Sequence, residues 1–280
     1  MQGYPNSGAP DASRPEDRLP EDVTYLRTKI VNVVMIGRPG GEWVLVDTGM
    51  PGSASKIVKA ARERFGRERP EAILLTHGHF DHTGSLDDLL DLFPDVPLYA
   101  HEQELPFLTG KADYPPGDPT VGGGLMAASA PFYPNKGIDL GERVQPLPAD
   151  GSVPFLPEWR WLHTPGHSEG HISLFRSSDG TLVAGDAFIT VKQESALAVL
   201  TQRREIHGPP TYFTPNWEAA RTSVARLAAL RPASAITGHG EPMAGAELSE
   251  GLEQLSSNFD TVAVPAAGRY VDSAHIDPPS

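Results

Sequence analysis

Three histidines and an aspartate fall within six residues in the stretch His77-Gly78-His79-Phe80-Asp81-His82. Imidazole nitrogens and carboxylate oxygens are ligands for zinc, and also for iron and manganese. Residues two apart in an extended segment project to the same side, so His77 and His79 can share one ion. Asp81 and His82 then turn away and can reach a second. Solvated loop histidines are the plain alternative. With 10 His in 280 residues, however, chance puts H-x-H-x-D-H into only about one such chain per thousand, which favours a metal site.

The neighbouring residues supply a frame for this loop. The apolar run 73–75 before it has the length of a buried strand. Behind it, Leu86, Leu89, Leu90 and Phe93 recur at helical spacing. The ligand-type residues therefore lie where a strand ends and a helix begins. Further candidates sit at other predicted strand ends: His167 in Thr164-Pro165-Gly166-His167, Asp186 after the strand 181–184, and His239 in Gly238-His239-Gly240. The glycines beside them allow the backbone to approach a crowded centre.

Upstream, residues 30–36 and 42–48 read as a hairpin across Gly37-Arg38-Pro39-Gly40-Gly41, the second strand closing on Asp47-Thr48-Gly49. Ser53 is placed to cap a helix that runs to Phe65 and stops at Gly66. A short strand is expected at 97–100. Downstream, 171–176 and 181–184 flank an Asp179-Gly180 turn. Asn216 can cap a helix burying Trp217, Ala220, Val224, Leu227 and Leu230. The strand 233–237 reads as the final one, with a last helix near 246–256. Strands alternating with helices favour an α/β sheet with helices on its outer face.

Residues 102–159 carry breakers and little regular pattern, and read as an insertion framing a pocket. Phe107 and Leu108 look exposed within it. Phe107, Tyr133, Tyr212 and Phe213 are the candidate pocket aromatics. His101 follows a strand and reads as a surface-loop residue, with a place in the pocket wall as the alternative. His163 and His171, four residues either side of His167, read as structural, with a hydrogen bond to a ligand as the alternative for one of them. His207 and His275 receive no function.

Residues 1–22, rich in Pro, Gly, Ser and acids, read as a flexible tail ahead of one domain over 23–280. From about 257 the chain is expected to be an extended tail, lying along the body or across a neighbouring subunit as in a homodimer. The formal net charge of −13 disfavours a non-specific grip on nucleic acid. The lack of any cysteine excludes disulfides, thiolate ligands and thiol nucleophiles. Neither a membrane span nor a secretory signal is visible, so the cytoplasm is the default location.

H-x-H-x-D-H, then T-P-G-H, then G-D, then G-H-G, in that order, resembles the metallo-β-lactamase fold superfamily of hydrolases, from about Thr24 to Pro242. The resemblance implies an αββα sandwich of two mixed β-sheets with helices on the outer faces. It implies two divalent metal ions, zinc foremost, with iron or manganese as alternatives. His77, His79 and His167 would hold one, Asp81, His82 and His239 the other, and Asp186 would bridge them. Asp47 would be the acidic residue that fixes the tautomer of a ligand imidazole. The expected chemistry is attack by a metal-bridging hydroxide on a small-molecule carbonyl or phosphoryl substrate, with Asp81 and Asp186 as catalytic residues. A bridging Asp186 disfavours antibiotic hydrolysis as the main task. Only Arg269 is basic after His239, which disfavours glutathione thioesters. An ester or lactone is the expected substrate. Glyoxalase II-like thioesterase, β-lactamase, phosphodiesterase and iron-dependent sulfur dioxygenase activities are the alternatives, as is a binding protein on a dead scaffold.

Overall fold

In a computed structural model, described over residues 19–122, 125–191 and 204–271, the apolar runs become strands buried on both faces. One sheet holds β1 (Val23–Thr28), β2 (Val31–Ile36), β3 (Val44–Val46), β4 (Ala72–Leu74), β5 (Leu98–Ala100) and β6 (Val144–Pro146), in that order. The pairs from β1 to β3 are antiparallel and those from β3 to β6 parallel. The second sheet holds β7 (Trp159–His163), β8 (Ile172–Arg176), β9 (Thr181–Gly185), β10 (Ser234–Thr237) and β11 (Met243–Ala244), again as sequence neighbours. There β9 and β10 pair in parallel and the other pairs are antiparallel.

Side-chain alternation assigns each strand residue to one of two cores. Val33, Met35, Leu45 and Ile73 face the helices α1 (Ala54–Phe65) and α3 (Leu86–Leu92). Their neighbours Val34, Val44, Val46 and Leu74 face the other sheet, where they meet Trp159, Leu174, Val183 and Ile236. On the far side, Leu182, Ala184 and Ala235 pack under α6 (Trp217–Ala229), α7 (Gly245–Ser257) and α8 (Phe259–Val262). The result is the expected αββα sandwich of two mixed sheets. Strands covered on both faces are largely apolar, which is why these segments read as near-continuous runs. Among the described residues no helix is long and apolar enough to cross a membrane.

Several expectations are corrected. β1, β6 and β11 were not foreseen, so 233–237 is not the last strand. Ser53 precedes α1 but its side chain makes no capping bond; its backbone N–H instead donates to Ser85 Oγ at 2.7 Å. Asn216 does cap α6, its Oδ1 accepting from Ala219 N at 3.0 Å. The region 102–159 is more ordered than its sequence suggests: β6 extends the first sheet, and α4 (Leu105–Leu108) and α5 (Leu125–Ala128) lie within it. Phe107 and Leu108 are buried, not exposed, because α4 packs against that sheet's core; Phe132, by contrast, is 87% exposed. Past Ser257 the chain forms α8, with Ala263 buried, rather than extending. It then lies along the body, where Tyr270 Oη donates to Pro116 O at 2.7 Å. The predicted tail falls outside the described residues up to 18, as does His275.

Candidate metal centre

All the candidate ligands lie just beyond strand ends on one rim. Asp47 follows β3, His77 to His82 follow β4 and fill α2 (Phe80–Thr83), His167 follows β7, Asp186 follows β9 and His239 follows β10. Asn32 holds the two sheets in step at this rim. Its Nδ2 donates to Thr237 O and Gly240 O at 2.9 and 2.7 Å, bracketing His239 from the opposite sheet. Ile172 N donates to Thr76 O at 2.9 Å, joining the sheets again beside His77. Segments more than a hundred residues apart therefore converge.

The donor atoms form three overlapping groups, each within 4.8 Å: His77, His79 and His167; His77, His82 and Asp186; and Asp81, His82 and His239. His79 Nδ1 faces His167 Nε2 at 2.9 Å. Asp186 Oδ2 lies 3.5 Å from His82 Nε2, 3.4 Å from His167 Nε2 and 3.2 Å from His239 Nε2, so one oxygen faces imidazoles of both halves. Asp81 Oδ2 is 3.4 Å from His239 Nε2. All seven side chains are buried.

The outward nitrogens are already committed. His82 Nδ1 is 2.8 Å from Asp47 Oδ2, and His239 Nδ1 is 2.8 Å from Ile30 O. His77 Nδ1 meets Thr76 Oγ1 at 3.1 Å, and that hydroxyl donates to Asp47 Oδ2 at 2.8 Å. These acceptors keep a proton on Nδ1 and direct Nε2 inward, where a metal ion can take the place of any proton on it. Inside, His77 Nε2, His82 Nε2 and Asp186 Oδ1 are buried without a hydrogen-bond partner. A buried polar atom without a partner costs about 1–3 kcal/mol. Several orphans converging on one point fit a cation, and nitrogen and carboxylate donors without sulfur suit zinc, iron or manganese.

Electrostatics divide the site. Burial, followed by repulsion from neighbouring imidazoles, holds His77 and His167 well below the ordinary imidazole range. Burial likewise takes His79 down to about 4. Burial opposes charge on His82 and His239 as well, but the carboxylates outweigh it. Asp186, Asp47 and Asp81 hold His82 well above its usual value, and Asp186 and Asp81 raise His239 to about 10. Burial would raise Asp186, yet His239 and His82 keep it well below the carboxylate range. The three-histidine half thus offers neutral ligands, and the other half balances imidazolium against carboxylate.

Three residues outside the expected ligand set complete the surroundings. His171 Nε2 accepts the backbone N–H of Asp186 at 2.9 Å, and its Nδ1 lies 3.1 Å from Thr164 O. Its spacing of four from His167 is the signal that marks it in the sequence. Glu104 is fully buried beside the loops of His77 and His167, and Tyr114 Oη donates to it at 2.5 Å. His101 is buried rather than on a surface loop, its ring stacked on His163 at 4.2 Å.

Two cavities open onto the cluster. One of about 110 Å³ is walled by Phe80, Tyr133, Tyr212 and Phe213 and reaches Asp81, Asp186 and His239. The other, about 570 Å³, is walled by Phe107, Tyr114, Phe213 and the loop after His163. His79, His167 and Phe213 border both. The four candidate pocket aromatics therefore all line one cavity or the other.

Residues 26–239 match the family model described as the metallo-beta-lactamase superfamily. The Bacillus subtilis (strain 168) protein named "Probable metallo-hydrolase YflN" is 49% identical over 240 residues, covering 85% of this chain and 90% of that protein. An Erwinia tasmaniensis protein named "Hydroxyacylglutathione hydrolase" is 29% identical over 150 residues, covering 54% of this chain and 44% of its own length. Among solved structures, TTHA1623 in a di-iron-bound form superposes with a TM-score of 0.52 at 26% identity, covering 79% of this chain and 93% of that one. The B3 metallo-beta-lactamase BLEG-1 gives a TM-score of 0.57 at 21% identity, covering 84% and 96%, a likeness of fold alone.

Proposed function

The chain belongs to the metallo-beta-lactamase superfamily, and from that premise we propose that it hydrolyses neutral esters or lactones with two divalent metal ions, zinc foremost. His77, His79 and His167 would hold one ion, Asp81, His82 and His239 the other, with Asp186 between them. Such ions supply a water acidic enough to ionise near neutral pH and a Lewis acid for the substrate's carbonyl oxygen.

The protein's own contribution is positional. Asp81 borders the smaller cavity, and although burial opposes its charge, His82 and His239 keep its carboxyl below the ordinary range. It is therefore an ionised acceptor at neutral pH, able to take a proton from the attacking water and return it to the leaving oxygen. Asp47 and Ile30 O hold the protons of His82 and His239 on Nδ1. The aromatic wall of Phe80, Tyr133 and Phe213 keeps bulk water away.

The observation that carries the substrate class is the pair of cavities meeting over the cluster. An ester lying across the ligands would place one arm in the small aromatic chamber and the other in the larger one. No lysine or arginine lines either chamber among the described residues, which argues against anionic thioesters and β-lactams. Iron is the second candidate metal, since TTHA1623 at 26% identity was crystallised with two irons.

The test is a panel of neutral esters, lactones, glutathione thioesters and β-lactams on protein of measured zinc, manganese and iron content. Neutral esters or lactones should exceed the anionic substrates by at least about tenfold in kcat/KM. Asp186→Ala and His79→Ala should each lower metal content and turnover together. Preference for glutathione thioesters or β-lactams, or oxygen uptake with a persulfide on the iron form, would replace the ester assignment.

A further inference from the structure

Beside the ligand cluster lies a buried carboxylate that coordinates nothing. Glu104 follows β5 in a turn of 3-10 helix and is wholly shielded from solvent. Its two oxygens divide their work between two loops. Oε1 accepts from Gly78 N at 2.9 Å and from Tyr114 Oη at 2.5 Å. Oε2 accepts from Ser168 Oγ and Gly170 N, both at 2.9 Å. Gly78 lies between His77 and His79, and Ser168 follows His167 directly. One side chain thus joins backbone segments whose histidines are 88 residues apart in sequence.

The close approach depends on missing side chains. A Cβ at residue 78 would strike Tyr114 Oη and Leu108, and one at residue 170 would strike the backbone of Glu104 itself. Tyr114 closes the arrangement, since its ring packs edge-on against His79 at 4.6 Å. His79 faces His167 through Nδ1, the ring nitrogen nearer the backbone, so only a short lever separates the Gly78 peptide from the donor atom.

We propose that Glu104 is a positioning residue for the three-histidine half of the metal centre, a carboxylate clamp that fixes His77 and His79 against His167 and so sets the affinity of that half for its ion. The clamp rests on the reading that this cluster holds metal. It acts mainly on that half: it grips the His77–His82 loop at Gly78, between two ligands of that ion, and its hydrogen bonds do not reach the loops of Asp47, Asp186 or His239 among the described residues.

The experiment is zinc titration of the metal-free full-length chain against a chromophoric chelator, comparing the parent with Glu104→Gln. The amide keeps the carboxylate's shape, but its NH2 cannot accept and must face the donors of one loop. One equivalent of zinc should weaken by on the order of 10–100-fold, as for other outer partners of metal ligands, while the second stays within a factor of about two. In a His239→Ala background, which retains the three-histidine half, Glu104→Gln should cost the same factor. Ser168→Ala removes one bond from the His167 side and should weaken the same equivalent by about two- to tenfold; it serves should Glu104→Gln fail to fold. A cobalt-substituted sample adds a spectroscopic signature, with the ligand-field bands of one ion altered and those of the other retained.

Equal weakening of both equivalents alongside a lowered melting temperature would overturn the clamp in favour of plain structural support. Unchanged binding of both would overturn it outright. A parent chain that takes up no divalent ion would sink the metal reading itself, whereas normal loading of the parent with an indifferent Glu104→Gln sinks only the clamp.

Discussion

Asp47 sits at φ 61°, in the left-handed region that Gly, Asn and Asp enter more readily than other residues. Its carboxylate takes three bonds there: Thr76 N on Oδ1, and Thr76 Oγ1 and His82 Nδ1 on Oδ2, each at 2.8 Å. Asp47→Asn tolerates the same backbone but cannot satisfy all three donors. Whichever way the amide turns, its NH2 faces either Thr76 N or His82 Nδ1, and the second choice moves the His82 proton to Nε2. We expect metal affinity on the His82 side to fall by about 10–100-fold, read in a chelator competition, and the three-histidine side to lose less, because Asp47 reaches it only through Thr76 Oγ1 and His77 Nδ1. A larger loss from the three-histidine side than from the His82 side would place the role of Asp47 elsewhere. At this scale the sequence is uneven. His77, His79, Asp81 and His82 are legible because their spacing is local, and His167, Asp186 and His239 because each closes a strand beside a glycine. Glu104 is not legible, and His171 only as a histidine four residues from His167. A lone Glu or His reads as surface or structure until its distant partners, Gly78 and Gly170 for one and Asp186 for the other, are brought to it.

At the level of elements, the His167 loop is seated on the first turn of α6. Gly166 has φ 134°, and a Cβ there would run into the backbone N and Cα of Ala220. Ser223 Oγ donates to Pro165 O at 2.7 Å, so helix and loop are pinned together on both sides of the contact. Gly166→Ala must strain the backbone and push the loop off the helix at once. The expected loss is about 2–5 kcal/mol from strain and overpacking together, measured by urea unfolding of the metal-loaded protein, with metal retention reduced in parallel. A change within about 0.5 kcal/mol, as at an open surface position, would mean that loop and helix do not meet as described. The elements themselves were legible where both faces are buried, as in β2, β4, β8, β9 and β10, because such strands are apolar for most of their length, with buried polar residues such as Asn32 and Ser173 among them. β1 shows intermediate burial along its middle, and β6 and β11 are only 3 and 2 residues long. Edge strands of this kind carry no pattern of their own and exist because a neighbour offers its hydrogen bonds. The buried state of Phe107 and Leu108 was hidden for a related reason, since the breakers around them mask a helical turn that docks on the first core.

Across the whole molecule, the opposed shifts within one buried cluster make the stability of the metal-free protein depend on pH in both directions. His239 titrates at about 10 when folded, above the ordinary 6.5 of an unfolded imidazole. Its contribution is fully present below 6.5 and disappears as pH rises through about 10. His79 and His171 run the other way, held by burial at about 4 and about 3, so the unfolded chain binds their protons first and stability falls as pH drops below 6.5. His77 and His167 are shifted in the same direction and steepen that acid limb. The carboxyls of Asp81 and Asp186, both lowered against the opposing effect of burial, add to it below their unfolded value of 3.8. A maximum of melting temperature near pH 6.5 follows for the metal-free chain, with decline on either side. Two divalent ions would replace the protons of His82 and His239, so the loaded protein should lose the alkaline decline. It should also gain about 4 kcal/mol per site at a thousandfold excess of free metal over Kd. Melting curves from pH 4 to 10, with and without chelator, read both effects. A metal-free protein whose stability climbs steadily from pH 6.5 to 10 would contradict the pairing of His239 with Asp81 and Asp186, because deprotonating that imidazole would then have cost the fold nothing.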